Sequence, residues 1–292
     1  MKYSGLTINL GDIGISVRAD SSKNSIRKDD LCSQAVTRKS MKLAFTEKCS
    51  RFSIPYKRNI NLRVNNEYWS LHENRDAEIF TLKPSPSNGK IVAVLNKDKT
   101  GGDIYIWQKD DDWLRTRLGA IIIDKIISGN RRFMFHASGI VDGTNGYLFL
   151  GESGLGKTTI SKLWLKNNAK VINDDKIMIY KQGGSFIIAS GEIFRKNTCD
   201  TYSGPRKAVL KKIFFLKHGI KNKLISRNCC GAFEQMLKNS LTLDWNKKIL
   251  KKMLSFYLDL AVSVKCYDLE FVPDSSCINF IRKNSHERRK LE

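Results

Sequence analysis

Eight consecutive residues match the phosphate-loop pattern GxxxxGK[ST]: Gly151, Glu152, Ser153, Gly154, Leu155, Gly156, Lys157 and Thr158. In this pattern, backbone N–H groups of a glycine-rich turn converge on an anion at a helix N-terminus. The lysine reaches the terminal phosphates, and the Ser or Thr hydroxyl binds a metal ion. We therefore predict that these residues, together with Thr159, bind the phosphates of a nucleotide.

The residues on either side of this loop have the pattern that a phosphate loop requires. The apolar run 147–150 predicts a buried strand that leads into the loop. After the loop, Ile160, Leu163 and Trp164 have the i, i+3, i+4 spacing of one helix face. The strand and helix favour a phosphate loop over the alternative, a glycine-rich turn without function.

Two adjacent aspartates, Asp174 and Asp175, follow the next predicted strand at 170–172. A bound triphosphate requires a divalent metal, and phosphoryl transfer requires a group that accepts the acceptor's proton. Adjacent side chains at a strand end point in different directions. One aspartate can therefore approach the metal while the other faces the acceptor. An ordinary Asp-Asp turn is the alternative.

Other polar residues near the loop have two interpretations each. His136 lies in the apolar run 133–138 and is either a core histidine or a group that contacts phosphate or tunes the aspartate's protonation. A basic group flanks a polar stretch that contains Gly and Pro: Arg195, Lys196, Arg206 and Lys207. These side chains either close over the site or are solvated loop charges.

The order of these pieces resembles the HPr kinase/phosphorylase superfamily, which is related to the phosphoenolpyruvate carboxykinase core. The resemblance extends over 113–285 and rests on five segments, at 135–140, 151–159, 173–175, 208–216 and 266–274. It implies a P-loop core that uses ATP and Mg²⁺. His136 and Asp174 would then be catalytic, and Thr158 with Asp175 would hold the metal.

By the same resemblance, the phosphoryl group would go to a hydroxyl of a peptide, a protein or a small molecule. Among hydroxyls we favour a seryl group. The family's acceptor-side Trp-His-Gly signature is absent at 192–197, and its arginine-containing C-terminal signature is absent too. The chain is in this respect closer to small HPr-kinase-like proteins found with peptide-modification genes, including lasso-peptide kinases, or to free-serine kinases. A nucleotide-gated binding or assembly module without phosphotransfer is the alternative.

The chain is strongly basic: 51 Lys and Arg against 29 Asp and Glu give a net charge of +22. Such a field attracts anions. In the clusters at 206–223 and 247–252 the lysines alternate with apolar residues, as on solvated faces of packed elements. Because no base-stacking or helix-turn-helix signature accompanies the charge, we do not expect a nucleic-acid partner. A homo-oligomer is compatible with the sequence.

Seven cysteines without CxxC or metal-ligand spacing indicate reduced thiols and predict a cytoplasmic location. No apolar run reaches the length of a membrane span, and the first residues lack a signal-peptide core. We expect no membrane partner.

The pattern of the whole chain predicts an α/β fold in three regions. Residues 1–112 are strand-rich, with short alternating runs between Gly, Asn and Asp clusters. Residues 113–285 form the P-loop kinase-like core of mixed sheet and helices, beginning with a helix at 113–127. Residues 286–292 form a basic tail.

Overall fold

The computed structural model describes nine stretches of the chain: 5–10, 13–19, 41–48, 61–83, 91–98, 101–106, 117–191, 207–242 and 246–285. The protein is a mixed α/β protein and divides into two compact units. The first comprises Met1–Gly129 with Gly191–Ile193, and the second Asn130–Ser190 with Phe194–Glu292.

The first unit contains β1 (Gly5–Leu10), β2 (Ile13–Ala19), β3 (Met41–Lys48), β4 (Asn61–Asn65), β5 (Trp69–Glu73), β6 (Ala77–Leu82), β7 (Ile91–Asn96), β8 (Gly101–Ile106) and α1 (Arg117–Gly129). Its strands form one sheet in the order β1-β2-β3-β8-β7-β6-β5-β4. The pairs β2–β3 and β3–β8 are parallel, and the other neighbours are antiparallel. All eight of these strands lie within the region 1–112 that the sequence predicts to be strand-rich.

Helix α1 belongs to the first unit, whereas we drew the boundary before it, near residue 112. The helix packs on β6, and residues 121–128 are all buried, the polar ones as well as the apolar ones. Because its isoleucines complete the core of the first sheet, the unit ends at Gly129. The predicted start of this helix at 113–116 lies outside the described residues.

The second unit contains β9 (Phe133–Asp142), β10 (Asn145–Leu150), α2 (Lys157–Lys166), β11 (Lys170–Asn173), β12 (Lys176–Gln182), β13 (Ser185–Ala189), β14 (Lys207–His218), β15 (Lys223–Ser226), α3 (Cys229–Lys238), α4 (Lys247–Ser263), β16 (Lys265–Phe271) and α5 (Ser276–Ser285). Strand β10 pairs with β9 and, in parallel, with β14. Since β9–β12, β12–β13 and β13–β14 also pair, these five strands close a ring. Strand β16 extends it in parallel beside β14, and β15 follows as the edge.

Helices cover both faces of this sheet. Along β10, Leu148 and Leu150 pack in a cluster with α3 and α4, whereas Tyr147 and Phe149 pack in a second cluster with α2 and α5. This alternation is the two-residue period of a strand buried on both sides. It explains why the 147–150 run is continuously apolar.

Helix α5 was not predicted, because we read the chain beyond 271 as leading into the basic tail. Asp274 Oδ1 accepts from Ser276 N at 2.8 Å near the start of the helix. Arg282 then binds Asp142 through two hydrogen bonds of 2.9 and 2.7 Å and lies over the Trp164 ring. Arg282 therefore fastens α5 to the sheet. The tail at 286–292 lies outside the described residues.

Candidate functional site

The glycine-rich segment connects the end of β10 to the start of α2, as predicted. Gly154 and Gly156 have φ angles of +89° and +92°, which glycine adopts without strain. A Cβ on Gly156 would also lie 2.9 Å from Phe271 Cζ on β16. The two glycines are thus required for different reasons, backbone conformation alone at Gly154 and conformation plus close packing at Gly156.

The N-terminus of α2 is open to an anion. Its N-cap is Gly156, which has no side chain to accept hydrogen bonds from the first turn. The N–H groups of the first turn have no partner within a helix, and the helix dipole gives this end a partial positive charge. Thr158 and Thr159 are exposed on this turn. Their hydroxyls and backbone N–H groups are therefore accessible to a ligand.

Lys157 is the buried cation of the loop. Its side chain folds back so that Nζ donates to Gly151 O at 2.6 Å and to Glu152 O at 2.9 Å. Burial lowers the pKa of the Lys157 ammonium, and the attraction of the nearby Asp175 carboxylate partly opposes that shift. Both carbonyls belong to the loop itself, so the ammonium is held against the loop.

Asp175 lies between the loop lysine and His136. The His136 Nε2 atom is 3.4 Å from Asp175 Oδ1, and both side chains are about one-third exposed. Strand pairing explains the distance, because Lys176 of β12 is the register partner of His136 on β9. The Asp175 backbone is fixed on both sides: its O accepts from Ala137 N at 3.1 Å, and its N donates to Asn173 Oδ1 at 2.8 Å.

Asp174 is half-buried, and its carboxylate has no hydrogen-bond or ion-pair partner among the described residues. The structure thus brings Lys157, Asp175 and His136 together and leaves the Asp174 carboxylate without a protein partner. No group of three His, Cys, Asp or Glu side chains in the described stretches has the arrangement of a metal site.

Asn239 is a site residue that the sequence did not suggest. This buried residue caps the C-terminus of α3, and its Oδ1 accepts from Gly151 N at 3.1 Å. Its main-chain O accepts from His136 N at 2.9 Å. Asn239 therefore connects the start of the loop to β9, the strand that carries His136. Asn239 lies 88 residues after Gly151 in the chain.

A second buried link joins the histidine strand to the loop helix. Ser138 Oγ on β9 and Ser161 Oγ on α2 are 2.6 Å apart, and Ser161 Oγ also donates to Lys157 O at 3.0 Å. Buried hydroxyls that bond each other fix the helix relative to the strand. Ser138 lies in the segment 135–140 on which the resemblance rests, and Ser161 follows the loop by one helical turn.

The basic residues proposed to close over the site are only partly described. Lys207 is exposed at the first position of β14. Arg195, Lys196 and Arg206 lie outside the described residues, as does the segment 192–197 where the acceptor-side signature was sought. Among the helices that the structure describes, none combines the length and apolar composition that crossing a bilayer requires.

Comparison with solved structures finds similar chains, of which one is described below. The structure of the Hpr(Ser) kinase/phosphatase from Coxiella burnetii aligns with a TM-score of 0.33 and 10% sequence identity. The alignment covers 53% of this chain and 99% of that one. No protein-family model and no curated protein matches the sequence.

Proposed function

We propose that the protein is an ATP-dependent phosphotransferase that moves the γ-phosphoryl group to a hydroxyl. The observation that carries the proposal is the convergence of Lys157, Asp175 and His136 beside the uncapped N-terminus of α2. Phosphoryl transfer is catalysed mainly by positioning and by neutralising charge, and this is the set of groups that such chemistry needs.

In this proposal residues 151–159 bind the triphosphate. The first-turn N–H groups of α2 donate to phosphate oxygens, and the glycines let the backbone come close. An ammonium has three N–H donors, and Lys157 uses two of them on loop carbonyls. The third donor binds a phosphate oxygen, and exchange of a loop carbonyl for phosphate frees another. Ser153 shapes the loop and is not assigned a separate role.

Thr158 and Asp175 are the proposed Mg²⁺ ligands. An exposed hydroxyl and a partly exposed carboxylate are hard oxygen donors, which fit this ion, and Mg²⁺ at phosphate sites takes only one or two carboxylates from the protein. When bound, the ion neutralises charge on the phosphates. His136 contacts the same carboxylate and orients it.

Asp174 is the proposed base. It accepts the proton of the attacking hydroxyl while the acceptor oxygen forms its bond to the γ-phosphorus and the bond to the bridging oxygen of ADP breaks. Asp174 is suited to this role because its half-exposed carboxylate is not engaged by a neighbouring side chain among the described residues.

For the acceptor, we propose a seryl group of a peptide or protein, as in the small HPr-kinase-like proteins associated with peptide modification. A small molecule such as free serine is the narrower variant. This assignment rests on the order of the segments 135–140, 151–159 and 173–175, and it is supported by the 3.4 Å distance between His136 Nε2 and Asp175 Oδ1. A cytoplasmic location belongs to the same proposal.

A nucleotide-gated binding module is the second candidate. The missing Trp-His-Gly signature at 192–197 favours it, because a module that releases no phosphate needs no acceptor-side group. It predicts that ATP binds and that neither ADP nor a phosphorylated acceptor accumulates.

Transfer of γ-³²P from ATP to candidate seryl peptides tests the proposal. Asp174→Asn should lower transfer by about 10²- to 10⁴-fold and leave ATP binding largely intact, since it removes a base and no phosphate contact. Asp259→Asn, which removes a surface carboxylate paired with Lys181, is the matched control and should leave transfer unchanged. Unchanged turnover in Asp174→Asn would sink the assignment, and ATP binding without any turnover would favour the binding module.

A further inference from the structure

Helix α4 has an apolar face that nothing in the described chain covers. Its inner face is buried in the core of the second unit. On its outer side, Leu250, Leu254, Leu258 and Val262 are exposed by 41%, 37%, 52% and 68% of their surface. They recur every fourth residue and so form one row along four turns of the helix. A contiguous row of exposed apolar side chains is typical of an interaction site.

This row forms one wall of a groove. The groove has a volume of about 480 Å³, and Phe233 of α3 forms part of its opposite wall. Leu250, Leu254 and Leu258 line it together with Ser255 and the stems of Lys247 and Lys251. The surface is therefore a shallow, open groove, apolar at its centre and basic at one end, on which the ridge of a peptide helix can lie.

The basic end carries charges that the described residues do not compensate. Lys247, Lys248, Lys251 and Lys252 occupy the first two turns of α4, and none forms an ion pair with a carboxylate of the described residues. Cations at a helix N-terminus oppose the helix dipole, and like charges four residues apart repel each other. No acidic residue lies in the first turn to offset them. A negatively charged partner would relieve both effects.

Charge selects among the possible occupants of the groove. A second copy of the chain would bring the same four lysines and a net charge of +22 to the contact. An anionic lipid surface suits leucines and lysines, but it would lie across the row and would not enter the shallow groove between α3 and α4. An acidic amphipathic peptide satisfies the charge, the apolar row and the shallow groove together.

We propose that the α3–α4 groove binds an amphipathic peptide segment whose apolar ridge is flanked by Asp and Glu. Its ridge packs against the leucine row and Phe233, and its carboxylates pair with Lys247 and Lys251 at the entrance. This binding needs neither nucleotide nor phosphoryl transfer, so it is independent of the activity proposed above.

The test measures binding of a labelled synthetic peptide to the full chain by fluorescence anisotropy. The probe is a helix of about 18 residues with leucines on one face and glutamates on both flanks, used at about 0.1 M salt. We expect saturable binding, weakened about tenfold or more by Leu254→Gln with Leu258→Gln. These leucines are exposed, so the folded core is unchanged, which circular dichroism checks.

Charge reversal provides the second arm. Lys247→Glu with Lys251→Glu should weaken binding of the acidic probe by a similar factor. The same variant should bind more tightly a probe in which lysines replace the glutamates. Lys221→Glu with Lys223→Glu, an equal charge change at exposed lysines at the start of the edge strand β15, is the matched control and should have little effect.

Three results would overturn the proposal. One is equal binding of a scrambled probe with the same composition, because the attraction would then be to net charge alone. Another is a dimer in sedimentation that Leu254→Gln with Leu258→Gln dissolves, which would make a second copy the occupant. The third combines two observations: the parent protein does not bind the peptide probe, and it binds phosphatidylserine vesicles that Leu254→Gln with Leu258→Gln no longer binds. That result would assign the row to a lipid surface.

Discussion

Lys157 shows how single residues set the chemistry of the loop. The two loop carbonyls and the Asp175 carboxylate stabilise an ammonium whose pKa is lowered by burial. The motif predicts a phosphate-binding role for this lysine from local spacing, and that role stays a prediction. Which aspartate lies beside it could not be predicted, since adjacent residues at a strand end differ only in the direction of their side chains.

Burial also distinguishes the cysteines. Burial raises the pKa of the Cys266 and Cys277 thiols to about 12, whereas Cys229 and Cys230 are exposed. Thiolate is the reactive form, and a pKa of about 12 leaves roughly one thiol in 10⁴ ionised at pH 8. We expect iodoacetamide to alkylate Cys229 and Cys230 in the native protein and to spare Cys266 and Cys277. Peptide mass mapping after timed labelling measures this, and equal labelling of all four would contradict the assigned burial.

Asn239 makes a prediction about positioning. Asn239→Ala leaves the buried Gly151 N–H without its acceptor, which costs about 1–3 kcal/mol. It should lower both the free energy of unfolding and the affinity for Mg·ATP. Asn228→Ala removes the N-cap of the same helix and should cost about 1 kcal/mol without changing ATP affinity. Urea denaturation and calorimetric titration separate the two effects; equal ATP affinities of both variants would assign Asn239 a purely structural role.

At the scale of elements, local signals were predictable and long-range pairings were not. The strand β10, the loop and the α2 face of Ile160, Leu163 and Trp164 follow from runs of a few residues, and the structure confirms these elements. The approach of Asn239 to Gly151 joins elements far apart in the chain, and the two residues share no motif. Such contacts depend on how strands pair, which sequence periodicity does not specify.

The loop glycines yield a matched pair of variants. Gly154→Ala and Gly156→Ala both place Ala at a positive φ, which destabilises by more than about 0.4–1 kcal/mol. Only at Gly156 does the new Cβ also meet a ring, 2.9 Å from Phe271 Cζ. Gly156→Ala should therefore lower the free energy of unfolding more than Gly154→Ala does, and Phe271→Leu should reduce that difference. Urea denaturation of the wild type, of Phe271→Leu and of each glycine variant in both backgrounds decides it, and identical losses at both glycines would refute the packing argument.

At the scale of the whole molecule, the site belongs to one unit. The loop, His136, both aspartates and Asn239 lie in the second unit, and so do the two clusters that pack against its sheet. The mixed α/β class and the strand-rich start were predictable from composition and alternation. The extent of the first unit was not, because the isoleucines of α1 are equally compatible with either core.

This division predicts that the second unit works alone. A fragment of residues 130–292 retains both apolar clusters and should fold cooperatively, with an affinity for Mg·ATP within about threefold of the full chain. Thermal unfolding followed by circular dichroism, together with calorimetric titration, checks this. A fragment that unfolds without a transition would show that the second unit depends on the first.

The most direct test of the central claim is titration of the full chain with Mg·ATP by isothermal calorimetry. The wild type should bind at one saturable site. Lys157→Met removes charge-assisted hydrogen bonds worth about 1.5–3 kcal/mol, so its affinity should fall about 10- to 150-fold. Lys162→Met changes an exposed lysine of the same helix and should bind as the wild type does. Folded wild-type protein that takes up no ATP, or a Lys157→Met variant that binds equally well, would contradict the account.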